Sequence, residues 1–427
     1  MRKKFIQSTF ILFFGGFITK LLGLIIKIIM TRNIGLEGIS LYMMILPTFS
    51  LFITIAQVGV PYTLSRMVAL NKKNNPSLFF TTWIFLLVLN LLLCLFLSSF
   101  SSFISTFLLH NSNLQLPIIA IGFVLHFTTL SSLGRSYFIG KENMLPPVLS
   151  NIFENFIRFL FVLFIIPYLS HYSTSFIVFI IVLFNIISEL CSFLVLLLFL
   201  PKKHISFTFS FQRNYLLDVL NLSFPNITSS LIGNVTYFLE PILFSSILLS
   251  LGYLSSFITQ EYGILTGYVF PILFLPSFFM NALSQSFFSY QTKLYDRSDY
   301  KKLKFVFYLQ VFLILFISIF FTLFFILFGL VLLKFIYHTS LGFSYLKVIA
   351  PFCFFYYVQP TFSFLFLSMG KTKDLLITTI ISSVIRIVSL ILFLYLNFGI
   401  YSLLYSFILN TIITTIYEFY KIHKYLS

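Results

Sequence analysis

Long apolar stretches recur along the whole of this 427-residue chain and leave few folds open to it. We read twelve, at roughly 6–30, 40–64, 78–100, 116–138, 146–168, 174–200, 217–248, 263–289, 304–333, 344–369, 374–396 and 399–420, each long enough to cross a bilayer with some tilt. Inside a bilayer only helices and closed barrels satisfy every backbone hydrogen bond. Runs of this length are helical, so the sequence predicts an all-α polytopic membrane protein. With 59% hydrophobic and 9% charged residues, little of the chain is left for a soluble domain.

The placement of charge tests that count. Of 27 Lys and Arg, 20 fall on one side of a twelve-span topology, from Arg2, Lys3 and Lys4 at the start to Lys421 and Lys424 at the end. Arg135 is sorted with them, at the end of span 4. The opposite side holds only Arg32, Lys334 and Lys347, and four cations lie inside spans: Lys20, Lys27, Arg158 and Arg386. Cytoplasmic loops carry the excess of Lys and Arg, so both termini are expected in the cytoplasm, with the protein multi-pass in the cell membrane. The net charge of +16 is then a topology signal, and no nucleic-acid partner is expected. Met1-Arg-Lys-Lys followed by a long apolar run reads as a retained first helix rather than a cleaved leader. Cys94, Cys191 and Cys353 lie far apart in apolar helices and suggest neither a disulfide frame nor a metal site. No GxxxxGK[ST] occurs, and no cofactor is expected.

The chain also repeats itself. Pro47 corresponds to Pro271, Gly140-Lys141 to Gly370-Lys371, Arg158 to Arg386, and Ile18-Thr19 to Ile227-Thr228. Six spans per half in the same orientation describe a parallel repeat about an axis along the membrane normal, an arrangement used by alternating-access transporters. The expected organisation is a six-helix lobe at 1–200, a basic cytoplasmic linker at 201–214, and a second six-helix lobe at 215–427, around a central cavity.

Span 1 carries the first candidate site. Gly16, Lys20, Gly23 and Lys27 fall on one helical stripe, where glycines admit a close neighbour and lysines are costly to show to lipid. The ordinary alternative is lysines that snorkel to the surface. On span 7 the matching stripe reads Asn226, Ser230, Gly233 and Tyr237, with Glu240 a turn later. Facing lobes would enclose a polar, net-positive cavity to which Gln57, Asn234, Gln285 and Gln359 could add hydrogen bonds. When that cavity is empty, Glu240 is expected to pair with one of the lysines, which avoids an uncompensated charge. Pro47, Pro61, Pro271 and Pro276 are the expected hinges, with Pro225 and Pro241 further breaks in span 7. Glu154 and Arg158, spaced i,i+4 with the acid first, read as an internal ion pair. Arg386 has Ser382 where that acid would stand, which leaves it open as a ligand or as a charge packed on carbonyls. Glu189 has no partner visible in sequence, and His126 reads as a core residue before a proton relay.

The run KLLGLIIKIIMTRNIGLEGISLYMMILPTFSLFITIAQVGVPYTLSRMVA resembles the N-terminus of the stage V sporulation protein B family of polysaccharide-biosynthesis flippases. EYGILTGYVFPILFLPSFFMNALSQSFF resembles the second lobe of the same family, which is related to the lipid II flippases and to multidrug exporters. The resemblance implies an alternating-access flippase for a lipid-linked cell-wall glycan precursor. It also implies membrane lipids and cell-wall synthesis enzymes as partners. Lys20 falls where lipid II flippases carry a cavity arginine, but Ile26, Leu51 and Phe52 occupy the approximate positions of their other arginines. Those relatives commonly add a further pair of spans that helps form a lipid-tail groove, and no such pair follows span 12 here.

Three functions are weighed. One is the flippase, with Lys20 and Lys27 binding a diphosphate and Arg386 a further cavity candidate. Another is a multidrug or cation antiporter of the same fold, with Glu240 taking the cation. The third is a membrane-embedded glycan polymerase or glycosyltransferase, which would need acid and base residues gathered in sizeable external loops. The external loops here are short and, apart from Arg32, Glu37, Glu261, Lys334 and Lys347, nearly uncharged, and the flippase is the favoured reading. The topology is directly testable: cysteine at Ser112 or Ser173 should label from outside in intact cells, and at Asn74 or Ser298 only after permeabilisation. Labelling at Asn74 in intact cells would contradict it.

Overall fold

A computed structural model describes residues 2–70, 75–200 and 212–426, and every regular element among them is helical. The first half contains α1 (Arg2–Gln57), α2 (Val60–Ala69), α3 (Asn75–Ser102), α4 (Gln115–Gly140), α5 (Leu145–Leu160) and α6 (Thr174–Leu198). The rest contains α7 (Arg213–Ser250), α8 (Ser255–Gly263), α9 (Phe270–Asp296), α10 (Tyr300–Tyr337), α11 (Phe343–Ile349), α12 (Cys353–Ser368), α13 (Thr372–Tyr395) and α14 (Tyr401–Leu426).

Among the described residues, eleven helical runs are long and apolar enough to span a membrane, and the first, Phe14–Ala69, has 56 residues. At 1.5 Å per residue that run measures about 84 Å, far more than one crossing of a hydrocarbon core about 30 Å thick. Its helical geometry breaks at Gly35, whose φ of 68° and ψ of −171° suit glycine alone. Gly35 lies between expected spans 1 and 2, so the run supplies two crossings and the total is twelve.

The chain divides into two compact units, Met1–Asn234 and Val235–Ser427, with the division inside α7. The expected linker at 201–214 lies largely outside the described residues. Within the first unit α4 packs on α2, α3 and α6, while α5 packs on α6. Within the second, α12 packs on α9, α10 and α14, while α13 packs on α14. The contacts of α12, α13 and α14 thus parallel those of α4, α5 and α6.

Small residues tighten these contacts at positions the stripe reading did not choose. A side chain at Gly122 would sit 3.1 Å from the Cys94 backbone, and one at Gly140 would sit 2.5 Å from the Ser65 carbonyl oxygen. At Gly16 and Gly23, by contrast, no described atom lies within 4 Å of the position a Cβ would take.

Pro47 sits inside continuous α1 and Pro276 inside α9. Pro61 and Pro271 stand in the first turn of α2 and α9, where a missing N–H costs nothing. The breaks precede them: Val58 and Gly59 are both left-handed, and a wide turn at Ile264–Val269 leads into α9.

Gly35→Ala tests the first bend cleanly, because no described atom lies within 4 Å of the added methyl. The φ/ψ penalty alone should destabilise the protein by about 1–3 kcal/mol, seen as a lower melting temperature in detergent. Gly23→Ala, in regular helix, should be neutral or stabilising by roughly 0.5–1 kcal/mol. An unchanged melting point for Gly35→Ala would contradict the strain.

Candidate functional site

The candidate residues of the first unit lie along α1 and the first part of α7. Lys20 is exposed and makes no hydrogen bond or ion pair with a described residue. Lys27, two helical turns on, is half-buried, and its Nζ lies 3.7 Å from the Met43 Sδ. A thioether is a weak acceptor and carries no charge, so this contact does not neutralise the ammonium. Counted back from the break at Gly35, Lys20 lies about 22 Å and Lys27 about 12 Å along the helix, both within the depth of a hydrocarbon core. Gln57 closes α1, half-buried, beside the Val58–Gly59 break. Asn234 donates from Nδ2 to the Thr54 hydroxyl at 2.9 Å and to the Ser230 carbonyl at 3.0 Å, which ties α7 to α1. The Pro225 and Asn226 side chains lie outside the described residues.

The first unit also gathers four charges in a ring, with the two carboxylates buried and the two guanidiniums half-buried. The Arg135 Nη1 donates to the Glu154 Oε2 at 2.7 Å, and its Nη2 lies 3.2 Å from the Glu189 Oε2. The Arg158 Nη2 lies 2.8 Å from the Glu154 Oε1 and 3.5 Å from the Glu189 Oε1. Hydroxyls complete it: Ser131 donates to Glu189, and the Arg158 Nε donates to Ser188 at 3.0 Å. The i,i+4 pair expected from spacing is present. Two corrections accompany it. Arg135, sorted with the cytoplasmic-side cations, is a half-buried member of this ring inside α4, and Glu189, seemingly alone in sequence, has two guanidinium partners. With two positive and two negative groups the ring is neutral and saturated, which suits holding α4, α5 and α6 together rather than binding a ligand.

In the second unit Glu240 on α7 meets Arg386 on α13. The Glu240 Oε2 accepts from the Arg386 Nη2 at 2.8 Å and Nε at 2.9 Å, and the two residues are only 5% and 8% exposed. The guanidinium also lies over the Phe407 ring, 5.3 Å from its centroid, and Nη1 reaches the Leu403 carbonyl at 3.5 Å. Two expectations change here. The partner of Glu240 is Arg386 rather than a lysine, and Arg386 is held by a carboxylate rather than left open. Where the acid of the first repeat would stand, Ser382 donates to the Asn410 Oδ1 at 3.1 Å. The second unit therefore neutralises its equivalent arginine from α7, 146 residues away in sequence.

Gln359, expected to face a cavity, is tied down within the second unit. Its Nε2 donates to the Thr414 hydroxyl at 2.8 Å and to the Thr415 hydroxyl at 3.4 Å. Gln285 is exposed, and His126 packs edge-on to Phe127 with its Nδ1 unpartnered among the described residues. No group of three or more His, Cys, Asp or Glu among the described residues could hold a metal ion.

Comparison with known proteins places this arrangement. The model of the family described as polysaccharide biosynthesis protein matches residues 5–288, and that described as MatE matches 234–392. Stage V sporulation protein B of Bacillus subtilis (strain 168) is 27% identical over 379 residues, covering 84% of this chain and 71% of the relative. Sporulation protein YkvU of the same organism is 24% identical over 392 residues, covering 87% of this chain and 84% of the relative. The lipid II flippase MurJ of that organism is 26% identical over 178 residues, 38% of this chain and 32% of the relative. Among solved structures, the inward-facing form of a multidrug resistance MATE family transporter of the MOP superfamily superposes with a TM-score of 0.71. It is 16% identical and covers 96% of this chain and 94% of its own, which shows a shared fold. With the first family model matched over well over half of the chain and the fold in agreement, the chain belongs to the polysaccharide biosynthesis protein family.

Proposed function

We propose that this protein is an alternating-access flippase that moves a lipid-linked cell-wall glycan precursor, of the undecaprenyl diphosphate type, across the cytoplasmic membrane. The carrying observation is the contrast between its intramembrane charges. Glu240 already holds a guanidinium at 2.8 Å, whereas Lys20 is exposed with no described counter-charge. A diphosphate stays negative wherever it goes, and bare hydrocarbon opposes its crossing by several kcal/mol or more. Fixed positive charge at depth lowers that barrier. Lys20 and Lys27 are separated by about 10 Å along one stripe, a spacing that suits successive contacts as a headgroup advances. Lysine acts as a point charge and releases phosphate more readily than a bidentate arginine would. Gln57 and Asn234 would add neutral hydrogen bonds, and the breaks at Gly35, Val58–Gly59 and Ile264–Val269 would let helices pivot.

Family membership and the names of the curated relatives support a transported glycan lipid. The antiporter reading needs Glu240 free for a proton or cation, and its ion pair with Arg386 counts against that. For the third reading, a glycan polymerase or glycosyltransferase, no loop among the described residues supplies a cluster of acid and base residues.

Reconstituted protein and a fluorescent lipid-linked diphosphate test the proposal. Lys20→Ala should slow flipping about tenfold or more, the loss of one charge-assisted hydrogen bond worth roughly 1.5–3 kcal/mol, without loss of protein from the membrane. Lys20→Arg should retain part of the rate. An antiporter predicts the reverse ranking, with Glu240→Gln inactive and Lys20→Ala mild. A silent Lys20→Ala would defeat the anionic-headgroup reading.

A further inference from the structure

Eleven acidic residues occur in the chain, and five of them are buried among the described residues: Glu154, Glu189, Glu240, Asp374 and Glu418. Four have cationic partners. Glu154 and Glu189 share Arg135 and Arg158, Glu240 holds Arg386, and Asp374 lies 3.8 Å from the Lys421 Nζ. Glu418 on α14 is 4% exposed, makes no ion pair or hydrogen bond with a described residue, and has its Oε2 sealed from solvent without a partner. It stands about 12 Å from the end of α14, inside a helix apolar enough to cross the membrane. A bare carboxylate there would cost several kcal/mol, and removing its charge is the cheapest remedy.

The surroundings favour a proton over a metal ion. Thr414 and Thr415, four and three residues before Glu418, share its face of α14. Their hydroxyls already donate to carbonyls, Thr414 to Asn410 at 2.7 Å and Thr415 to Phe355 at 3.2 Å, while accepting from Gln359. Next to Gln359, Pro360 interrupts the α12 hydrogen-bond ladder. Tyr308 on α10 contacts both Phe419 and His423, so the antiparallel register brings Gln310 level with Glu418. The Gln310 Nε2 and the Oε1 of its partner Gln291 are also buried without partners among the described residues.

Other titratable groups on the helices packed against α14 are engaged or point outward. On α13, Asp374 is held by Lys421 and Tyr425, Arg386 by Glu240, and Lys373 is exposed. On α10, Tyr308 is bonded to His423 and Lys304 is half-buried near the helix start. Tyr357 on α12 donates to the Leu273 carbonyl, and Tyr356 packs on Phe407. On α11, Tyr345 donates to Glu261 at 2.6 Å and Lys347 is exposed.

We propose that Glu418 is a reversible proton-binding site within the second unit, taking a proton from water at the basic end of α14 and returning it to water. The site goes beyond the flippase reading and does not rest on it, because its test needs no substrate. Infrared difference spectra of the protein in lipid vesicles, recorded as pH is stepped, read the carbonyl stretch of a protonated carboxyl group directly. One such band should be present at neutral pH, titrate away on alkalinisation, vanish in Glu418→Gln and persist in Glu240→Gln. Glu418→Asp, which keeps the acid, should shift the band and its midpoint even if Glu418→Gln fails to accumulate. A band that survives Glu418→Gln would overturn the proposal. So would a band indifferent to Glu418→Asp, or one that responds to sodium at fixed pH.

Discussion

Ion pairing between arginine and carboxylate inside apolar helices is the constraint on which this structure rests. The spans bury Glu154, Glu189, Glu240 and Arg386, leave Arg135 and Arg158 half-buried, and match each charge within its own unit. Breaking one such buried pair by removing a single partner typically costs about 3–5 kcal/mol, because the survivor is left uncompensated. These groups are therefore poor candidates for ligands that must be bound and released. On the readings proposed above, the functional weight falls on the residues without a described counter-charge, Lys20 in the first unit and Glu418 in the second.

The two units solve the same problem differently. Arg158 and Arg386 occupy equivalent places in the repeat, yet one is met from α5 and α6 and the other from α7. The first solution is a closed ring that joins three neighbouring helices. The second is a single pair reinforced by the Phe407 ring, and it places a long helix, α7, in direct electrostatic contact with α13. A repeat can keep its helix packing while its charges are rewired, because packing depends on the apolar faces and pairing on a few positions.

Much of the fold was legible in the sequence because its signals are local. Apolar length marks the spans, and the i,i+4 offset marks Glu154 with Arg158. The pairing of Glu240 with Arg386 was not legible, since spacing rules reach one helical turn and these residues are 146 apart. Glu189 looked alone for the same reason, and Arg135 looked like a loop cation because it lies near a helix end beside other basic residues. Prolines drew attention as hinges, yet Gly35 and Gly59 carry the positive φ that turns the chain. The Gly-Val-Pro sequence at 59–61 was a readable signal, a glycine break just ahead of a proline that starts the next helix. Nothing in the spacing singled out Glu418, whose distinction is the lack of a partner.

If unmatched lysine charge is what this protein offers its substrate, selectivity should follow headgroup charge rather than glycan or tail. The most direct measurement compares flipping of two lipids in the same vesicles, alike in tail and sugar, one joined through a diphosphate and the other through an uncharged ether. The account predicts a rate at least about tenfold higher for the diphosphate lipid, narrowing as salt screens the exposed charge. Equal rates for the two lipids, or faster movement of the uncharged one, would contradict it.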